Sequence, residues 1–243
     1  MKVQLFVTCL GENILPQMLQ NMVGILEKIG VNCEFPEGQT CCGQPFFNSG
    51  FQKEGREMAL RWMKAFADTD GYIVAPSGSC LEFVKHRYPA MFPEGTAEHE
   101  EAVKVAARAF EFSQFLVNIL KVTDLGASFP HRVACHSPCH LTRGLGVREE
   151  QKILLRAVRR LELVPLNEAE TCCGFGGIFS VVYPEVSMAM MDAKVRNIMA
   201  GTAEYVVVSE PGCLINIRGG LQKMNARIQA MHLIDILAMG GAA

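Results

Sequence analysis

TCCGFGGIF at residues 171–179 and TCCGQPF at residues 40–46 are two versions of one phrase, an adjacent cysteine pair followed by glycine. Aligning the chain on the two phrases brings further cysteines into register, Cys9 with Cys139 and Cys80 with Cys213. Thirty-one residues separate Cys9 from Cys41 and thirty-two separate Cys139 from Cys172. The next intervals, Cys42 to Cys80 and Cys173 to Cys213, are thirty-seven and thirty-nine residues. Cysteine is an uncommon residue, so a four-position coincidence repeated in order marks an internal duplication.

The segments around the cysteines alternate between strand and helix. Residues 3–7 form an apolar, β-rich run that ends at Thr8-Cys9. Residues 14–29 carry apolar side chains at helical spacing (Leu15, Met18, Leu19, Met22, Val23, Leu26) and stop at Gly30. A strand over 31–35, the Cys41-Cys42 loop, a helix over 51–66, a strand over 72–75 and a helix beginning near Cys80 follow. The second half repeats the order: strand 132–136, helix 147–160, strand 161–166, the Cys172-Cys173 loop, helix 184–200 and strand 205–209. Such alternation predicts an α/β fold of two pseudo-repeat domains, 1–125 and 126–243. Each is expected to be a small parallel sheet flanked by helices, with the cysteines at its C-terminal strand edge. Strand ends far apart in sequence converge at that edge, where open parallel sheets bind ligands. Residues 87–106 contain about sixteen residues with no counterpart in the second half, and within them PAMFPEGTAEHEE, residues 89–101, reads as an exposed insertion.

Composition narrows the function. The chain has 243 residues, 49% hydrophobic and 20% charged, and a net charge of −2, which gives no reason to expect nucleic acid as a partner. No apolar run approaches the roughly 18 residues of a membrane-spanning helix. The N-terminus reads as a strand rather than a signal peptide, so the expected location is the cytoplasm. In that reducing compartment ten cysteines call for something other than a disulfide framework. Converging thiolates without a cation repel one another, so a metal centre is the expectation. Zinc and iron–sulfur both accept four cysteines. Structural zinc usually takes cysteines two to four residues apart, whereas the side chains of an adjacent pair diverge and suit two irons of a larger cluster. Bare reactive thiols are a third reading. Gly43 and Gly174, with Gly176 and Gly177, would let backbone N–H groups approach cluster sulfur.

The stretches FVTCLG, FPEGQTCCGQPFFNSG, APSGSC, VKVAARAFEFSQFLVNIL, GLGV, TCCGFGGIFSV and MHLIDIL carry a resemblance that runs nearly end to end. The chain resembles the CCG cysteine-rich proteins, a group that includes the CCG-bearing component of heterodisulfide reductase, and within them the lactate utilization protein A (LutA/YkgE) family. That resemblance implies an iron–sulfur electron-transfer subunit in a complex oxidising L-lactate to pyruvate. It also implies a LutB-like ferredoxin-type subunit and a LutC-like subunit as partners. The implied ligands are Cys9, Cys41, Cys42 and Cys80 for one centre and Cys139, Cys172, Cys173 and Cys213 for the other. Ser77 and Glu210 stand where the wider group has a fifth cysteine, so four ligands per site suit a 4Fe–4S cluster, one or two per chain. No C-x-x-C-x-x-C run is present, so the ferredoxin module is expected in trans.

Other residues read more plainly. Cys33 and Cys135 lie in strands outside the repeat and are expected to be buried, inert thiols. His140, directly after Cys139, is a candidate to hydrogen-bond near a cluster or move protons, and His136 a weaker one. His232 and the Met188, Met190, Met191 stretch are expected to be structural. No dinucleotide fingerprint, P-loop, G-x-S-x-G elbow or H-E-x-x-H motif is present, so nothing in the chain takes a hydride from lactate directly. It is expected to be an oxidoreductase component that is not catalytic alone. Two alternatives from other classes are a zinc-stabilised assembly protein and a thiol–disulfide oxidoreductase.

Overall fold

Val3 and Leu5 are buried, and their strand, β1 (Lys2–Leu5), is the centre from which the first half is built. In the computed structural model, which describes residues 1–240, β1 pairs in parallel with β2 (Asn32–Glu34) on one side and β3 (Tyr72–Ala75) on the other. A fourth parallel strand, β4 (Ala109–Glu111), joins β3, giving the order β2-β1-β3-β4. The second half repeats this with β5 (Arg132–Cys135), β6 (Glu162–Leu163), β7 (Tyr205–Val208) and β8 (Gln229–His232) in the order β6-β5-β7-β8. The chain divides into two compact units, Met1–Phe115 and from Leu116 onward.

In each sheet the first connection runs to one side and the next to the other, so a switch point lies at the C-terminal ends of β1 and β3, and of β5 and β7. Helices carry the crossovers. In unit 1 these are α1 (Pro16–Lys28), α2 (Gln52–Ala67) and α3 (Gly78–Glu82), followed by α4 (Ala97–Ala107). Unit 2 has α5 (Glu150–Ala157), α6 (Pro184–Met199) and α7 (Pro211–Lys223). α1 buries Met18, Met22, Ile25 and Leu26, and α2 buries Ala59, Trp62, Met63 and Phe66, at the three- and four-residue steps of a one-sided helix. The core of unit 1 is aromatic. Trp62 meets Phe6 edge-on at 5.2 Å between centroids, stacks on Phe66 at 4.3 Å and meets Tyr88 at 5.5 Å.

The two units match residue for residue around the switch point. Phe6 N–H donates to Val74 O at 2.9 Å, and His136 N–H donates to Val207 O at 2.9 Å. α2 and α6 each span 16 residues, which aligns Trp62 with Lys194.

Several expectations need correction. Neither β4 nor β8 stands out in the sequence, because Ala-Phe-Glu and Gln-Ala-Met-His lack β-branched alternation and pair only as edge strands. The strand expected over 161–166 shrinks to Glu162–Leu163 at the opposite edge, ahead of Pro165. The stretch 89–101 is not simply an exposed insertion: it contributes buried Phe92 to the core of unit 1, and Tyr88, Ala102 and Val105 on either side of it are buried as well. Met188 is 45% exposed and does not pack, whereas Met191 on the same helix does. Cys33 is half-buried rather than buried, because it lies on an edge strand. No helix among the described residues is long and apolar enough to cross a membrane.

Candidate metal centres

Three strand ends deliver four thiols to one place in unit 1. Cys9 opens a short helix (Cys9–Ile14) just beyond β1, Cys41 and Cys42 lie in the loop after β2, and Cys80 lies in α3 after β3. The residue before Cys9 is conformationally unusual. Thr8 has φ 56°, rare for a β-branched side chain, and its Oγ1 accepts from Gly11 N at 3.3 Å. The thiols form a chain of contacts, Cys9 to Cys41, Cys41 to Cys42 and Cys42 to Cys80. Hydrogen bonds from Cys42 and Cys9, with help from the Gly43 N–H, pull Cys41 down to about 3. The donors shift the opposite way: hydrogen bonding to Cys41 is the largest cause that pushes Cys9 and Cys42 well above an ordinary thiol.

Unit 2 builds the same nest. Cys139 follows β5, Cys172 and Cys173 lie beyond β6, and Cys213 lies in the first turn of α7 after β7. Cys139 contacts Cys172, Cys172 contacts Cys173, and Cys173 Sγ lies 3.0 Å from Cys213 Sγ. Hydrogen bonds from Cys139 and Cys173 hold Cys172 down at about 2, with Gly174 N at 3.4 Å from its sulfur, while Cys139 and Cys173 are pushed up. At 3.0 Å two negatively charged sulfurs would repel by about 5.5 kcal/mol at an effective dielectric near 20, so a cation is what would let the Cys173 and Cys213 sulfurs act together as ligands.

The glycine of each phrase is required by space and by φ. Gly43 (φ 86°) and Gly174 (φ 84°) are left-handed, and a Cβ on Gly174 would sit 2.5 Å from Ser187 O on α6. On Gly43 the equivalent contact, with Gly55 O on α2, is 3.0 Å. Backbone carbonyls of the nests are held as well. Tyr88 Oη donates to Cys42 O at 2.8 Å, Asn216 Nδ2 to Cys173 O at 2.7 Å, and Ser187 Oγ to Gly174 O at 2.8 Å. Ser77 and Glu210 are the N-cap residues of α3 and α7, three positions before Cys80 and Cys213, and Ser77 Oγ accepts from Cys80 N at 3.4 Å.

The structure brings together all eight repeated cysteines, in two sets of four. Cys33 belongs to neither nest, and burial raises it to about 11. Cys135 is also outside: its thiol donates to Gln151 Oε1 at 3.5 Å, and burial raises it to about 12. His140 is half-buried and begins a π-helical turn, His140–Gly144, directly after Cys139. His232 caps the C-terminal helix Leu233–Leu237 by accepting from Ile234 N, as a structural residue would.

His136 differs from these. It is 1% exposed, and one of its ring nitrogens lies within 4.8 Å of the Cys173 and Cys213 sulfurs. Its Nδ1 lies 3.0 Å from Ala169 O, and its Nε2 has no hydrogen-bond partner. Burial, reinforced by Lys194, drives it down to about 3, so it is neutral. Lys194 is itself buried and donates to Glu168 O and Ala169 O, both at 2.9 Å; burial lowers it to about 8. Sequence reasoning did not single out Tyr88, Asn216 or Lys194. A position-by-position comparison of the halves would have flagged Lys194, which stands where unit 1 has Trp62.

Comparison with known proteins agrees with this architecture. The Cysteine-rich domain family (CCG) matches twice, over residues 3–85 and 133–218. Lactate utilization protein A of Geobacillus thermodenitrificans is 46% identical, and that of Geobacillus kaustophilus 45%, each over 98% of both chains. Lactate utilization protein A 2 of Bacillus cereus is 42% identical over 99% of both chains.

Proposed function

The chain belongs to the lactate utilization protein A family, built from two CCG cysteine-rich domains, and on that premise we propose that it is an iron–sulfur electron-transfer subunit for the oxidation of L-lactate to pyruvate. The observation that carries this reading is the duplicated gathering of four thiols from three strand ends. Cys9, Cys41, Cys42 and Cys80 would hold one 4Fe–4S cluster and Cys139, Cys172, Cys173 and Cys213 a second. A bound cluster supplies one-electron storage at its nest. Lactate oxidation releases two electrons, which matches two such centres in one chain.

The chain's own residues do the holding. Gly43 and Gly174 bring N–H groups to the cysteine loops, and Tyr88 and Asn216 fix the carbonyls of the second cysteine in each pair. The donor sets fit the cluster in number and kind: each links four thiols in a chain of contacts beside a glycine whose amide faces sulfur. Hydride abstraction falls to another component, since this chain offers no group for it. A LutB-like ferredoxin-type subunit and a LutC-like subunit are the partners of this reading, and the cytoplasm its location. Exposed Val181, Val182, Tyr183 and Val186, close in sequence to the Cys172-Cys173 loop, supply apolar surface for docking.

Anaerobic purification with metal and sulfide analysis tests the proposal. Iron and labile sulfide, with visible absorption that bleaches on reduction, are expected. Stoichiometric zinc without iron would favour a zinc-stabilised assembly protein. Lactate-dependent electron transfer that survives iron removal would favour thiol–disulfide chemistry at Cys41-Cys42 or Cys172-Cys173.

A further inference from the structure

The two units have matching sulfurs and differ at two matched core positions. In unit 1 Phe6, directly after β1, and Trp62, on α2, are both buried and packed edge to face. The equivalent positions in unit 2 hold His136 and Lys194, both fully withdrawn from solvent. The fold therefore does not need polar groups there, and burying them without compensation is costly.

Lys194 is compensated by the carbonyls of Glu168 and Ala169. His136 is only half compensated. Ala169 O accepts and cannot donate, so Nδ1 carries the ring proton, and Ser137 N and Lys194 Nζ bond the same carbonyl and anchor it. Nε2 is left with a bare lone pair and no hydrogen-bond partner, on a ring of which one nitrogen lies within 4.8 Å of the Cys173 and Cys213 sulfurs. A buried lone pair with no donor is uncompensated, and a cation held between the ring and the cysteine sulfurs would compensate it. An imidazole with one nitrogen tied to a backbone carbonyl and the other free, set beside cysteines, has the arrangement of a metal-ligating histidine.

We propose that His136 Nε2 is a direct metal ligand in unit 2, beside Cys173 and Cys213, so that this centre has a mixed nitrogen–sulfur ligand set while the centre of unit 1 is all-sulfur. The inference rests on the reading that the nests hold metal. A 4Fe–4S cluster takes four terminal ligands, so His136 would replace one of the four cysteine thiolates assigned to this centre above. Neutral imidazole in that place removes negative charge from the iron it binds, which raises the reduction potential. The centre of unit 2 is then the more easily reduced of the two, and electrons entering the chain come to rest there.

The test is electron–nuclear double resonance on the full chain, with natural-abundance or 15N-labelled histidine, in two loadings. In the iron-loaded, reduced protein a directly bound histidine nitrogen gives a strong coupling that switches isotope with the label and disappears in His136→Gln. The wild-type isotope switch needs no variant to fold, and His136→Phe, which installs the residue found in unit 1, supplies a second check. Loaded clusters that show no histidine coupling overturn the inference and leave the iron reading standing. If the protein takes up no iron, the iron reading fails, and the apo chain titrated anaerobically with Co2+ decides the ligand. A histidine coupling on Co2+ that His136→Gln abolishes upholds the inference, and its absence refutes it.

Discussion

Replacing Gly174 by alanine tests whether the CCG turn is shaped by contact with the helix behind it. A non-glycine residue held at φ 84° costs about 1–2 kcal/mol in backbone strain. The added Cβ would also lie 2.5 Å from Ser187 O, 3.0 Å from Met190 Cβ and 3.1 Å from Met191 N. Two of these atoms are backbone of α6, so the helix itself must move, and overpacking of this kind costs about 1–3 kcal/mol. The sum is about 2–5 kcal/mol, or a fall in Tm of roughly 8–20 °C at about 4 °C per kcal/mol for a unit of this size. Gly43→Ala carries the same strain but its nearest contacts are 3.0 Å, so it should fall less. Gly219 lies inside α7 with nothing within 4 Å of an added Cβ, and Gly219→Ala should stabilise by about 0.5–1 kcal/mol. Thermal melts of the apo variants by circular dichroism read all three. A Gly174→Ala melt within roughly 2 °C of wild type, or a larger loss for Gly43→Ala, would refute the steric account.

Cys173→Ser should lower iron content, whereas Cys33→Ser should leave it close to wild type; equal losses would mean that the cysteines have been sorted wrongly. Tyr88→Phe leaves the buried Cys42 carbonyl without its 2.8 Å donor and should cost about 1–2 kcal/mol in a denaturant melt, and an unshifted midpoint would remove Tyr88 from the support of the nest. Metal uptake should release protons. Hydrogen bonding and burial hold Cys42 and Cys173 protonated in the empty nests, so loading must displace those protons and its apparent affinity should rise with pH. An indicator-dye titration in weak buffer that detects no proton release would contradict that protonation pattern.

The parts of the fold written into local pattern were legible. The cysteine intervals gave the duplication, and the apolar runs at β1, β3, β5 and β7 gave the parallel sheets, because central strands of such sheets are buried on both faces. What was not legible depended on distant partners. β4 and β8 are strands because β3 and β7 offer free edges, not because of their own residues. Tyr88 directly precedes a stretch that looks like solvent-exposed insertion, and only its packing against Trp62 and its bond to Cys42 reveal its role. His136 read only as a weaker candidate than His140 for hydrogen-bonding near a cluster or moving protons. Its peculiarity is relational: it shows only when it is set beside Phe6, together with the matching exchange of Trp62 for Lys194.

The spread of each sulfur set over three crossovers also fixes the order of maturation. A short cysteine knuckle can grip a metal while the rest of its chain is still unfolded. Here Cys9, Cys42 and Cys80 meet only once β1, β2 and β3 have taken their places, so the hydrophobic core must assemble before there is anything to load. On the proposed reading, cluster delivery would act on a finished scaffold, and a chain that lost its metal would keep the folded sheet that gathers the sulfurs.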